Sequence, residues 1–195
     1  MARILMKGNE AMAEAAIQAG CRAFFGYPIT PQSEIPEYFA RELPPRGGLF
    51  LQAESEMAAM NMVMGASAAG GRVMTSTSGP GYCLKLEALA AMALTRLPAV
   101  VVVVMRSGPA FGTMKAAQED YRMTGNGGYK VVTFAPSDVQ EAAAMVYEAF
   151  DIADQYRNPV VIMADGMIGQ MMGAVDFDKM PAKRMNLPEK TWALR

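Results

Sequence analysis

Residues 97–105 read LPAVVVVVM, nine residues without a charged side chain, and Arg106 closes the run. A helix that spans a bilayer needs about 20 apolar residues, so the stretch is too short for one. Its apolar residues are consecutive rather than alternating, the pattern of a strand covered on both faces, and this points to a parallel sheet. Working outward, runs of strand length recur at 22–26 (RAFFG), 48–52 (GLFLQ), 72–78 (RVMTSTS), 130–135 (KVVTFA) and 159–165 (PVVIMAD). Several of these also lack a polar face.

Between the runs lie longer stretches of helical periodicity, at 9–20, 31–43, 55–71, 80–96 and 137–156. Gly20, Gly70 and Gly71 read as helix stops, and Ser137 with Gln140 reads as a capping box. Strand and helix alternating in this way predict an α/β domain with an open, doubly wound, mostly parallel sheet and helices on both faces. Such sheets bind ligands outside the carboxyl ends of their strands. From about residue 172 the pattern gives way to GAVDFDKMPAKRMNLPEKTWALR, with charges, two prolines and no sustained period. We therefore expect one domain over 1–172, and over 173–195 a linker or tail toward a second domain that is missing or separately encoded. Trp192, alone in a polar stretch, is expected to dock on something.

A chain of 195 residues, 52% of them hydrophobic, is enough for one domain with a full core. Its 18 basic and 19 acidic residues nearly cancel and form no block, so nucleic acid is not a favoured partner. No signal-like apolar segment opens the sequence, and a soluble cytoplasmic chain without a membrane role is the expectation. Two cysteines, Cys21 and Cys83, cannot hold an iron–sulfur cluster by the usual four thiolates and lack the paired spacing of a zinc site. No metal-ligating residue is expected. Histidine is absent, so any catalysis rests on carboxylates, hydroxyls, arginine, lysine or a cofactor. The 19 methionines read as adaptable core filler before they read as a binding surface.

The strand ends hold the candidate chemistry. After AFF comes GYPITP, a corner pre-set by Pro28 and Pro31 with Thr30 at its apex. Thr30 reads either as the cap of a helix starting at Pro31 or as a hydroxyl offered to an anionic ligand, and spacing does not decide between them. After GLFLQ, Glu54 and Glu56 enter an otherwise apolar helix. Acids in a first turn suit the helix dipole, but two residues apart they point in different directions, so one can face the interior. Such a carboxylate could share a proton with a ring nitrogen. After RVMTSTS, Gly79 and Gly81 make a tight strand-to-helix turn, without a dinucleotide fingerprint or a P-loop. Arg106, directly after the valine run, is either a satisfied ion pair or a clamp for a substrate carboxylate, and the segment behind it could close over a ligand.

Three stretches, KGNEAMAEAAIQAGCRAFFGYPITPQSEI, QAESEMAAMNMVMGASAAGGRVMTSTSGPG and VVVVMRSGP with GTMKAAQED, together resemble one family. This is the N-terminal pyrimidine-binding domain of the alpha subunit of 2-oxoacid:ferredoxin oxidoreductases, with the nearest likeness to the 2-oxoisovalerate (ketoisovalerate) type. The likeness covers roughly residues 7 to 170. It implies the thiamine diphosphate-binding fold of the pyrimidine type and oxidative decarboxylation of a 2-oxoacid to acyl-coenzyme A and carbon dioxide, with ferredoxin reduced.

The resemblance implies that Glu56 bonds N1′ of the cofactor's aminopyrimidine and favours the imino tautomer, which deprotonates the thiazolium carbon. The cofactor would then be its own base, which is how a chain without histidine can belong to an enzyme. It implies that Thr30 contacts the substrate carboxyl or its adduct, that Arg106 binds the substrate carboxylate, and that Tyr27, Pro28, Ser78 and Gly79 lie against the cofactor. The family's diphosphate and magnesium site is on another subunit, and ADGMIG around Asp165 is not its motif. Magnesium and iron–sulfur clusters are therefore expected on partner subunits, with thiamine diphosphate shared between this chain and a beta subunit. A branched aliphatic 2-oxoacid is the favoured substrate and 2-oxoglutarate the second. Two other readings stay open: a non-catalytic assembly subunit, and a stand-alone flavodoxin-like nucleotide-binding module.

Overall fold

A computed structural model describes residues 3–108, 113–126, 128–182 and 186–193. The valine run forms β5 (Val100–Met105), and all six of its side chains are buried. Successive strand residues point to opposite faces, so two layers claim them in turn. Val100, Val102 and Val104 join Phe24, Met74 and Ile162 on one face. Val101, Val103 and Met105 join Val73, Val161 and Met163 on the other.

Around β5 stand β2 (Ala23–Gly26), β3 (Leu49–Gln52), β4 (Val73–Thr77), β6 (Val132–Phe134) and β7 (Val160–Asp165). The sheet order is β3-β2-β4-β5-β7-β6, and every pairing is parallel, with Met74 beside Val100 and Val100 beside Val160. Helices α1 (Gly8–Gln18) and α5 (Val139–Tyr156) cover the first face through Met12, Ala16, Val146 and Phe150. On that face Phe24 stacks on Phe39 of α2 (Glu34–Glu42) with ring centroids 4.3 Å apart. Helices α3 (Glu56–Ala68) and α4 (Pro80–Thr95) cover the other face through Met60, Val63, Leu89 and Met92. Among the described residues no helix is long and apolar enough to cross a membrane.

Strand order reverses between β2 and β4. The chain steps outward from β2 to β3, then returns to the opposite side of β2 for β4. The loops that leave β2 and β4 therefore diverge and leave a crevice at the carboxyl edge, where open parallel sheets take their ligands.

The structure differs from the sequence reading in four places. A second, antiparallel sheet pairs β1 (Ile4–Lys7) with β8 (Met172–Val175), and the short α6 (Gly166–Gln170) leads into β8. Residues 172–175, expected at the domain's edge and in the tail, are thus paired with the start of the chain. Helix α2 starts at Glu34 rather than Pro31 because residues 29–32 form a turn, closed by Gln32 N–H donating to the Ile29 carbonyl at 3.1 Å. Thr30 is therefore not its cap. The cap of α5 lies one residue later than expected. Asp138 accepts from the Glu141 amide at 2.8 Å, and the Glu141 carboxylate accepts from the Ser137 amide at 2.6 Å. Gln140 instead bonds the main chain of Asp176, accepting from its amide at 2.7 Å, which fastens the end of β8 to α5.

The tail lies against the body. Lys190 pairs with Asp154 at 2.8 Å and donates to the Gly70 carbonyl, while the Arg157 guanidinium stands 4.9 Å from the Trp192 ring centre. Methionines serve in both settings: Met12, Met60, Met74 and Met92 are fully buried, whereas Met57, Met167, Met171 and Met172 are exposed.

Candidate active site

The corner after β2 is braced through its main chain. The Thr30–Pro31 peptide is cis. The Pro31 carbonyl accepts from Asn9 Nδ2 at 2.8 Å and from Gln170 Nε2 at 2.7 Å, so the first turn of α1 and the end of α6 grip it from behind. The Glu34 carboxylate accepts from Lys7, Asn9 and Gln170, which locks the same three segments together. These bonds hold its pKa below the ordinary range against the opposing effect of burial. In front, the Ser76 hydroxyl bonds Gln32 Oε1, and Gln32 Nε2 donates to the Tyr27 carbonyl at 3.1 Å, tying the corner to β4. Thr30 itself is exposed, and its hydroxyl makes no hydrogen bond among the described residues.

Arg106 reaches this corner from the end of β5. Its Nη1 donates to the Thr30 carbonyl at 2.9 Å, so two residues 76 apart in sequence meet at one point. The arginine is 7% exposed, and its buried Nε has no partner. Between Arg106 and the loop after β4 sits Asp120, fully buried, in the 3-10 turn Glu119–Met123. Its Oδ2 accepts from the amides of Gly79 and Arg106, each at 2.9 Å. Burial pushes the Asp120 pKa up, opposed by those two amide bonds. Asp120 thus fixes both strand-end loops with one oxygen, while Oδ1 remains buried and unpartnered. Gly79 is required by this closeness: its φ is +49°, and a Cβ there would lie 2.3 Å from Arg106 Nε.

Glu56 and Glu54 meet different fates. Glu54 is exposed, whereas Glu56, the first residue of α3, is 7% exposed. Ser55 caps the helix by accepting from the Ala58 amide at 3.1 Å, so Glu56 is free of that duty. No donor among the described residues bonds its carboxylate, an unusual condition for a buried acid. Helix α4 packs directly against it: a Cβ on Gly81 would lie 2.7 Å from Glu56 Oε1 and 2.4 Å from Thr77 Oγ1. Below, Lys85 of α4 is fully buried and donates to the Glu56 carbonyl and to Thr75 Oγ1, each at 3.1 Å.

The structure therefore brings Thr30, Arg106 and the Ser78–Gly79 turn together, with Glu56 beside Thr77 on the same turn. Thr77 Oγ1 and Ser78 Oγ are both buried and unpartnered. Tyr27 is half-buried, with its carbonyl taken by Gln32. Pro28 lines a groove of about 250 Å³ with Ser33, Pro36, Phe50 and Gln52, on the β3 side of the corner. A larger cavity of about 750 Å³ opens beyond β5, among Met105, Tyr121, Thr133, Met163, Asp165 and Met167. No residue singled out at the strand ends lines it. Of the segment after Arg106 expected to close over a ligand, residues 109–112 lie outside the described residues.

An orphaned row of buried polar atoms at a crevice, with a donor-free carboxylate beside it, fits a bound polar heterocycle. Glu56 suits a ring nitrogen able to carry a proton, and Thr77 and Ser78 suit the ring's remaining edge. The class defined by this fold and crevice is a cofactor-binding α/β domain of the open parallel type. Comparison with known proteins gives the family. The family described as "Pyruvate flavodoxin/ferredoxin oxidoreductase, thiamine diP-bdg" matches residues 14–192, and the chain belongs to it.

The chain is 46% identical over its whole length to the ketoisovalerate oxidoreductase subunit VorB of Methanothermobacter marburgensis, covering 56% of that protein. It is 47% identical over 85% of its length to the 2-oxoglutarate synthase subunit KorA of Methanocaldococcus jannaschii, covering 46% of it. A solved 2-oxoglutarate:ferredoxin oxidoreductase from Magnetococcus marinus, with 2-oxoglutarate, coenzyme A and succinyl-CoA bound, superposes with a TM-score of 0.86 at 33% identity, over 92% of this chain and 32% of that one. The chain spans about half the length of the curated relatives it matches. The α/β thiamine diphosphate-binding fold is the one its sequence resembles.

Asp120, Lys85, Gln32 and Thr77 were not singled out from sequence. Lys85 left one sign: it falls on the stripe Tyr82, Leu89 and Met92 at helical spacing, where a charged residue is out of place.

Proposed function

We propose that this chain is the aminopyrimidine-binding part of a 2-oxoacid:ferredoxin oxidoreductase that oxidatively decarboxylates a branched-chain 2-oxoacid, giving acyl-coenzyme A, carbon dioxide and reduced ferredoxin. The observation that carries the reading is Glu56: a carboxylate at a helix start, 7% exposed and without a donor among the described residues, opening on the crevice beside β4. Thiamine diphosphate, when bound, supplies the carbanion chemistry that decarboxylation needs. Glu56 holds a proton at the ring nitrogen N1′. Tyr27, Ser78 and Gly79 form the adjoining wall, and Pro28 flanks the corner. Arg106, tied to the Thr30 carbonyl, presents the rest of its guanidinium to the substrate carboxylate, and the free Thr30 hydroxyl stands beside it. The main-chain bracing of the corner keeps both groups still, and small misplacement of such groups is costly to rate.

In the same proposal a partner subunit carries the diphosphate and magnesium site and iron–sulfur clusters, ferredoxin accepts the electrons, and the assembly is cytoplasmic. Residues past the domain lead toward a further domain or chain. A branched aliphatic substrate is favoured because relatives of the ketoisovalerate type match over the whole chain, and 2-oxoglutarate remains the second choice because relatives of that type match as well.

The test is 2-oxoacid- and coenzyme A-dependent reduction of a viologen dye by the assembled complex. Glu56→Gln is expected to lower turnover by at least about 100-fold with assembly intact. Unchanged turnover would make the chain a scaffold and overturn the proposal.

A further inference from the structure

Lys85 has no part in the scheme above, yet it is placed against its central residue. Its side chain enters from the second turn of α4, is fully buried, and ends on two neutral oxygens: the Glu56 carbonyl and the Thr75 hydroxyl. A lysine buried without an ion pair at bonding distance is costly, and an apolar residue would fill the same stripe between Tyr82 and Leu89 at no such cost. Among the described residues, the one charged group that acts on it is Glu56, whose attraction opposes the lowering of the Lys85 pKa by burial, to about 8. The lysine is thus mostly charged at neutral pH.

We propose that Lys85 is a positioning residue for Glu56. It anchors the first turn of α3 through the Glu56 carbonyl, and its buried positive charge keeps the Glu56 carboxylate ionised before any ligand arrives. This inference rests on the reading of Glu56 as the group that faces the cofactor ring.

Three observations support it. The carboxylate accepts no hydrogen bond among the described residues, so no such bond offsets the desolvation of its charged form. The anchor is local, joining α4 to the first residue of α3. Among the described residues no charged side chain bonds the carboxylate directly. From β4 come Thr75 and Thr77, which do not titrate in this range, and Glu54 on the preceding turn is exposed. Arg106 and Asp120 meet each other at Gly79, on the far limb of the turn that Gly81 closes against Glu56.

The test reads the protonation of Glu56 directly, in the assembled complex without cofactor. The infrared difference between the complex and its Glu56→Gln counterpart isolates the absorption of this one carboxyl group, and its acid and carboxylate bands are followed as pH is raised. The same difference is taken in Lys85→Met, Lys85→Gln and Lys85→Arg backgrounds. We expect the midpoint of Glu56 ionisation to move up by at least about one pH unit in Lys85→Met and in Lys85→Gln, and to return toward the wild-type value in Lys85→Arg.

Lys85→Gln can still donate to the Glu56 carbonyl, so it separates the charge from the anchor if Lys85→Met fails to assemble. Equal midpoints in all backgrounds would overturn the proposal, as would a shift that Lys85→Arg shares in full. The infrared measurement needs neither cofactor nor turnover. Loss of the Glu56 mechanism through full activity of Glu56→Gln is therefore a distinct result from failure of the Lys85 inference.

Discussion

Gly81 shows how closely the site is set. Any side chain there meets the Glu56 carboxylate and the Thr77 hydroxyl at once, both within 2.7 Å of the added carbon. Overpacking of this kind costs about 1–3 kcal/mol, and the atoms that must give way are the ones proposed to meet the cofactor. Gly81→Ala is therefore expected to reduce turnover by at least about tenfold while the chain still unfolds cooperatively, which viologen assays beside urea denaturation would check. Lys85 gives a second outcome at this scale. Its folded pKa is about 8 against an ordinary 10.5, so between those values the folded chain binds fewer protons there than the unfolded chain, and stability rises with pH across that window. Measured against Lys85→Met by urea unfolding, the wild type is expected to gain of order 3 kcal/mol from below pH 8 to above pH 10.5. A flat difference would mean that the Lys85 ammonium has the same pKa in the folded and the unfolded chain.

At the scale of elements, α5 depends on a cap displaced by one residue from the expected box. Asp138→Ala is expected to cost about 1 kcal/mol in urea unfolding and Gln140→Ala less, the reverse of what a box built on Ser137 and Gln140 implies. The difference shows which features a sequence can carry. Five consecutive valines describe a doubly covered strand whatever surrounds them, and the central strands and five main helices were legible for that reason. β1 and β8 were not, because each has four residues and becomes a strand only by pairing with the other across most of the chain. The turn at 29–32 was also hidden. Proline before a helix signals an N-terminus, but here the side chains of Asn9, Gln170 and Gln32 fasten the segment before the helix begins.

For the whole molecule, ion pairs tie the far end of the sheet to α5 and to the tail. Arg72 donates to Asp151 at 2.6 Å and to Asp154 at 2.8 Å, and Lys190 adds a second cation to Asp154. Both carboxylates are buried. Removing a cation from such a group costs about 3–5 kcal/mol, so Arg72→Ala is expected to lower the urea midpoint sharply and loosen the tail around Trp192, read by its fluorescence. At the opposite end, the candidate site was partly legible. Thr30, Glu56 and Arg106 each follow a strand end in sequence, where α/β sheets place their chemistry. Asp120 and Lys85 were not singled out: one bridges two loops through main-chain amides and the other underlies a carbonyl, relations that exist only after the chain has folded.

The bonds described at the corner after β2 are made by the main chain of residues 27 and 29–32 or by the side chains of Gln32 and Glu34. The Thr30 side chain carries none of that burden. Position 30 is thus a socket of fixed placement with an exchangeable fitting: evolution or an engineer can vary the group shown at the crevice there without rebuilding the frame that holds it.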